Sequence, residues 1–154
     1  MQVIRDVAEL RAAILERRLA GDAVGYVPTM GMLHDGQLSL VRRARAENGC
    51  VVVSCFPKPH EFQTLDEGSR LPRDEARDLA LLEREGADVA FLPTAATLYP
   101  PQDRTRVSVE GLTRQLEGAS RPGHLDGRSP TSSRLRSGPP RWKISRSTWD
   151  APEP

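Results

Sequence analysis

The chain has 154 residues, 28% of them charged and 38% hydrophobic, and a net charge of +1. That length suits one ordinary domain, and no apolar run is long enough for a membrane span or a secretory leader, so no membrane is expected as a partner and a cytoplasmic location is the default. Twenty arginines stand against two lysines, Lys58 and Lys143, and they are interspersed with acids, which reads as coding bias and not as a nucleic-acid face.

The first element in chain order is a short strand at Val3-Ile4. Asp6, with Glu9 three residues on, has the spacing of a capping box and starts a helix that ends near Gly21. Leu10, Ile14 and Leu15 form its apolar face, extended by Val7. Ala23–Thr29 is the next strand, and Pro28 is expected to end its pairing because proline has no N–H to donate. Leu38, Leu40, Val41 and Ala44 recur at helical spacing and predict a helix over Asp35–Asn48. Cys50–Phe56 is a strand. Cys50 and Cys55 are five apart on it, so they face opposite sides, cannot pair with each other and read as buried thiols, with no metal site. Arg73–Glu85 is a helix with Ala76, Leu79 and Leu82 inward and Gly86 as its stop. Asp88–Leu92 is a strand, Arg106–Val109 a short extended piece, and Gly111–Glu117 a short helix closed by Gly118.

Strands alternating with helices predict an α/β fold with a parallel sheet and right-handed crossovers. The three central strands make part of a doubly wound sheet, whose ligand crevice lies at the carboxyl ends of its strands. His34, Glu61 and the loop after Pro93 are placed at that edge.

The chemistry concentrates in Val27-Pro28-Thr29-Met30-Gly31-Met32-Leu33-His34-Asp35-Gly36-Gln37-Leu38. Gly31 and Gly36 permit a tight turn between strand and helix. Free backbone N–H groups and the positive end of the helix dipole would meet there, a setting for an anion such as a triphosphate. Neither the P-loop nor the dinucleotide pattern is satisfied. The plain alternative is a connection carrying a surface histidine.

This run resembles the nucleotide-binding signature of the pantothenate synthetase (pantoate–β-alanine ligase) family. Further stretches resemble the same family in order. They are Val51-Val52-Val53-Ser54-Cys55-Phe56 with Pro59 and Phe62, and Leu71-Pro72-Arg73-Asp74 with Asp78-Leu79-Ala80-Leu81-Leu82. Beyond them come Ala87 to Pro93 with Leu98-Tyr99-Pro100-Pro101, and Leu116 to His124. The resemblance covers residues 1–127 and implies a Rossmann-like sheet of the nucleotidyltransferase superfamily.

It implies a two-step ligation in coenzyme A biosynthesis, in which ATP and pantoate give an acyl adenylate and β-alanine then displaces AMP. ATP and Mg²⁺ are the implied cofactors, pantoate and β-alanine the small-molecule partners, and a homodimer the implied assembly. Met30, Gly31, Met32, Leu33, His34, Asp35, Gly36 and Gln37 match the ATP-binding run. His34 matches the first of the family's two histidines. Gln37 stands at the second, the family's proton donor, and glutamine cannot deliver a proton or carry positive charge. In the substrate loop Lys58 replaces an asparagine, and Glu61 replaces a glutamine that hydrogen-bonds pantoate. Glu61 would set like charges together. These departures predict an impaired ligase; the alternative is a non-catalytic, truncated remnant that at most binds nucleotide.

Residues 128–154 change character. They carry six serines, five prolines and both tryptophans with a net charge of +4, against −3 for residues 1–127. Their few apolar residues follow no period, so a disordered Arg/Ser/Pro-rich tail is expected, and a shifted reading frame would account for its composition. A weaker reading sets the basic tail, with Trp142 and Trp149, on nucleic acid by charge and stacking.

Overall fold

The computed structural model describes residues 1–57 and 74–99, together with short stretches at 106–107, 117–120, 127–128 and 142–144. The elements are β1 (Gln2–Ile4), α1 (Val7–Leu19), β2 (Val24–Thr29), α2 (Asp35–Glu47), β3 (Cys50–Cys55), α3 (Glu75–Arg84), β4 (Val89–Phe91), α4 (Ala95–Leu98), β5 (Arg106–Val107), α5 (Glu117–Ser120), β6 (Gly127–Arg128) and β7 (Trp142–Ile144). Five strands form one parallel sheet in the order β1-β4-β3-β2-β7, and β5 pairs antiparallel with β6. The α/β parallel architecture expected from the alternation is therefore present. Among the described residues no helix is long and apolar enough to cross a membrane.

Period-2 alternation on β3 divides the core. Cys50 and Val52 face α1 and pack with Leu10, Ile14, Tyr26 and Phe91. Val51 and Val53 face α2 and α3 and pack with Leu38, Val41, Ala44 and Leu82. The two cysteines are free and on opposite faces, as their odd spacing requires.

Helix α1 starts where Asp6 Oδ1 accepts the N–H groups of Ala8 and Glu9, at 2.8 and 3.0 Å. Asp6→Ala is expected to cost about 1 kcal/mol by stranding those donors; urea unfolding of the variant measures it, and an unchanged midpoint would remove the cap from the account. At the amino ends of the strands, Asp88 accepts from Val51 N–H at 2.8 Å and Arg45 at 2.7 Å. Arg42 grips Glu85 through two bonds, at 2.7 and 2.9 Å, and ties α2 to the end of α3. The Arg42 guanidinium holds the Glu85 carboxyl below the usual carboxylate range.

Several expectations change. Leu15 is 57% exposed, and the inward face of α1 is Leu10 and Ile14 flanked by Val7 and Ala13. Ala76 is exposed, while Leu82 is buried and Leu79 packs against the same core as expected, with Leu81 and the buried Asp78 beside them. Pro28 does not end its strand, because the β2–β3 register runs on to Thr29 and Cys55. The Thr29 carbonyl accepts from Phe56 N–H, so the proline nitrogen one position back points away from β3, and among the described residues β7 pairs as far as Tyr26. Gly118 lies inside α5, and residues 111–116 of the helix expected there lie outside the described residues. Residues 95–98, expected as loop, form a helical turn capped by the Thr94 hydroxyl. Trp142–Ile144, within the segment expected to be disordered, has its backbone alongside Val24–Tyr26.

Candidate functional site

Four strands end at one edge of the sheet, and the segments that leave them surround a cleft of about 350 Å³. Arg5 follows β1, Met30, Gly31 and Met32 follow β2, Cys55 and Phe56 end β3, and Leu92 to Ala95 follow β4. Asp74, Glu75 and Asp78 enter from the start of α3, and Glu75 is paired with Arg5. A crevice at the carboxyl ends is where a parallel sheet leaves room for a ligand.

Of the candidate ATP-binding run, Met30, Gly31 and Met32 line this cleft. Leu33 is 1% exposed, with its side chain in the core. His34 caps α2, and Asp35, Gly36 and Gln37 form the first turn of that helix outside the cleft lining. Lys58 and Glu61 lie outside the described residues.

The turn itself differs from an open amide cradle. Gly31 and Met32 both have positive φ, +83° and +50°. The Gly31 N–H donates to Thr29 Oγ1, and the N–H groups of Met32 and Leu33 donate to the two oxygens of Asp78, at 2.7 and 2.8 Å. The His34 N–H donates to Gln37 Oε1 at 3.1 Å, and Gly36 N–H donates to His34 Nδ1 at 3.2 Å. The free N–H groups expected at this turn are thus largely engaged within the chain. The reason is tertiary: a carboxylate from α3 reaches the turn from 45 residues away.

Gln37 and His34 close a reciprocal capping box. Because Nδ1 accepts a backbone N–H, the neutral imidazole carries its hydrogen on Nε2, and the exposed ring presents a donor to solvent.

Beneath the turn, the Tyr26 hydroxyl meets Ser54 Oγ at 2.8 Å, and Thr29 Oγ1 donates to the Ser54 carbonyl at 2.8 Å. Burial pushes the Tyr26 phenol above its ordinary 10.0 and the thiols of Cys50 and Cys55 above 9.0. Raised folded values mean that the native state holds these protons more tightly than the unfolded chain. Their contribution to stability is therefore full below about pH 9 and is lost as pH climbs through the raised values. Tyr26→Phe is expected to flatten the fall of unfolding free energy above about pH 10; urea titrations at a series of alkaline pH values check this, and an unchanged slope would discount the phenol.

The model of the pantoate-β-alanine ligase family matches residues 2–135. The chain belongs to that family. A pantothenate synthetase of Gluconobacter oxydans is 49% identical over 135 residues, covering 88% of this chain and 48% of the relative. One from Roseiflexus castenholzii is 54% identical over 127 residues, covering 82% and 45%. The crystal structure of pantothenate synthetase from Thermus thermophilus is 48% identical and superposes with a TM-score of 0.77, covering 88% of this chain and 48% of its own. A pantoate-β-alanine ligase from Francisella tularensis, crystallised with β-γ ATP and β-alanine, is 31% identical with a TM-score of 0.78, covering 88% and 52%. The chain spans about half the length of the relatives it matches. The family match runs eight residues past Gly127, the limit expected from the sequence motifs.

Two residues of this pantoate-β-alanine ligase family member were assigned no role from sequence. Asp78 is the more informative. A carboxylate four residues before Leu82, on the same helical stripe as a core leucine, is the signal that marks it, because unpaired acids are rarely buried. Arg5 carried no such signal, since only the convergence of β1 with β4 brings it to the cleft.

Proposed function

We propose that the cleft at the carboxyl edge of this sheet binds ATP and takes part in pantoate–β-alanine ligation. The observation that carries this reading is that Met30, Gly31 and Met32 of the recognised run line the cleft together with the ends of three other strands. The crystallised relative with β-γ ATP and β-alanine supports the choice of nucleotide. Pantoate, β-alanine and ATP are the proposed small-molecule partners.

In the proposed reaction a pantoate carboxylate oxygen attacks the α-phosphorus of ATP and the bond to the departing pyrophosphate breaks. The β-alanine amine then attacks the acyl carbon, loses a proton and forms the amide as AMP leaves. Charge builds on phosphate oxygens in the first step, and a donor placed there lowers the barrier. His34 offers its Nε2–H for that purpose. Gln37 contributes by capping: its carbonyl oxygen holds the His34 backbone. Its amide can donate a hydrogen bond outward and cannot supply a proton. Lys58 and Glu61 are the proposed contacts to the pantoate end.

Mg²⁺ is expected to arrive on the nucleotide's phosphates, which it binds with few protein ligands. Among the described residues no three histidine, cysteine or acidic side chains converge as a metal cage, and both oxygens of Asp78 are already bonded.

A second reading, nucleotide binding without turnover, is favoured by the capping role of Gln37 at the proton-donor position. Thermal melting with and without Mg²⁺-ATP, followed by an assay of pantothenate formed from ATP, pantoate and β-alanine, separates the two. An upward shift with product supports ligation, and a shift without product supports binding alone. No shift at saturating ATP rejects both, since a ligand that binds the folded state must stabilise it.

A further inference from the structure

Successive N–H groups of a turn containing left-handed residues make a concavity that accepts an anion, and in many phosphate sites the anion is the ligand. Here the concavity at Met32 and Leu33 is filled from within the chain. Asp78 is 5% exposed and gives one carboxylate oxygen to each N–H, at 2.7 and 2.8 Å. Met32 holds φ +50°, a conformation that side-chain-bearing residues seldom adopt and that persists where the surroundings enforce it. Gly31 stands against the same carboxylate: a Cβ there would lie 3.2 Å from Asp78 Oδ2, at φ +83°.

We propose that Asp78 is a positioning residue for the nucleotide turn, an internal anion that occupies the Met32–Leu33 concavity and sets the turn in its binding shape before any ligand arrives. The turn is then a preset wall of the cleft. A phosphate group is excluded from these two amides, both because they are engaged and because a second anion beside Asp78 would be repelled. His34 follows directly, so the clamp also sets where its Nε2–H stands. This role rests on the nucleotide reading above. The clamp itself does not, because both of its bonds join groups of this chain.

Asp78→Asn retains one acceptor oxygen and turns an NH₂ group against the other backbone N–H, so one of the two bonds is lost. In the full chain, hydrogen exchange at the Met32 and Leu33 amides is expected to accelerate at least tenfold, with protection of the β3 amides unchanged. The ATP dissociation constant, from calorimetric titration of the folded variant, is expected to rise at least tenfold. Asp78→Glu, which keeps the charge, is expected to recover part of both. A purely structural role would lower the melting temperature and leave ATP affinity of the folded protein where it was. Should Asp78→Asn fail to fold, Gly31→Ala strains the same turn with Asp78 in place, and undiminished ATP binding by that variant overturns the positioning role. Unchanged exchange at Met32 and Leu33 in folded Asp78→Asn overturns the clamp. Faster exchange with unchanged ATP affinity overturns the positioning role, and a wild-type chain that does not bind ATP overturns the nucleotide reading and the role that rests on it.

Discussion

Pyrophosphate release from ATP and pantoate is expected to run at least about 10²-fold, and up to about 10⁴-fold, below that of a family member with histidine at the position of Gln37. The loss is expected in kcat, with ATP affinity retained. Glutamine keeps the size and the donor capacity of the site and lacks the transferable proton, so what disappears is an interaction made only as charge develops. That range corresponds to about 2.7–5.4 kcal/mol of barrier. The Gln37 carbonyl already accepts the His34 N–H, which fixes the side chain against the helix end. Steady-state pyrophosphate assays on both proteins, with ATP affinity measured separately, decide the matter. Equal kcat values would show that the second histidine is dispensable, and a loss confined to affinity would place the defect in binding.

Phe91→Ala is expected to remove about 3–5 kcal/mol of stability, enough to unfold a marginal domain. Phe91 is fully buried on β4, between β1 and β3, and packs under α1 with Ile4, Leu10 and Ile14. Its ring packs in the cluster where α1 meets the sheet, so truncation to Ala leaves a void among residues that are themselves buried. Urea unfolding of the two proteins tests this; a cost under about 1 kcal/mol would mean that α1 shifts to refill the cavity.

Much of this molecule is written locally. The helical spacing of Leu38, Val41 and Ala44, the run of β-branched residues at Val51 to Val53, and Asp6 ahead of Val7 each follow from near neighbours in the chain, and each element stands where those signals set it. The errors also have local causes. Leu15 and Ala76 are apolar and roughly in register, and periodicity alone cannot tell the edge of an apolar stripe from its centre. The expectation for Pro28 rests on what proline lacks, while its tolerance depends on which side of β2 carries the neighbour.

The site divides along the same line. Sequence by itself determined the parallel α/β class, the order of elements from β1 to β4 and the membership of the pantoate-β-alanine ligase family, and it singled out the run from Met30 to Gln37 as the candidate nucleotide turn. These rest on periodicity and on motifs, which need only residues close together in the chain. Tertiary structure decided what the turn's amides do. Asp78 comes from a helix 45 residues on, and its carboxylate turns an apparently open cradle into a filled one. It also brought Arg5 to the same cleft, beside the loop after Pro93 that the sequence had set at this edge. Such contacts depend on strand order and on which face a helix covers, and both are settled only when the whole core packs.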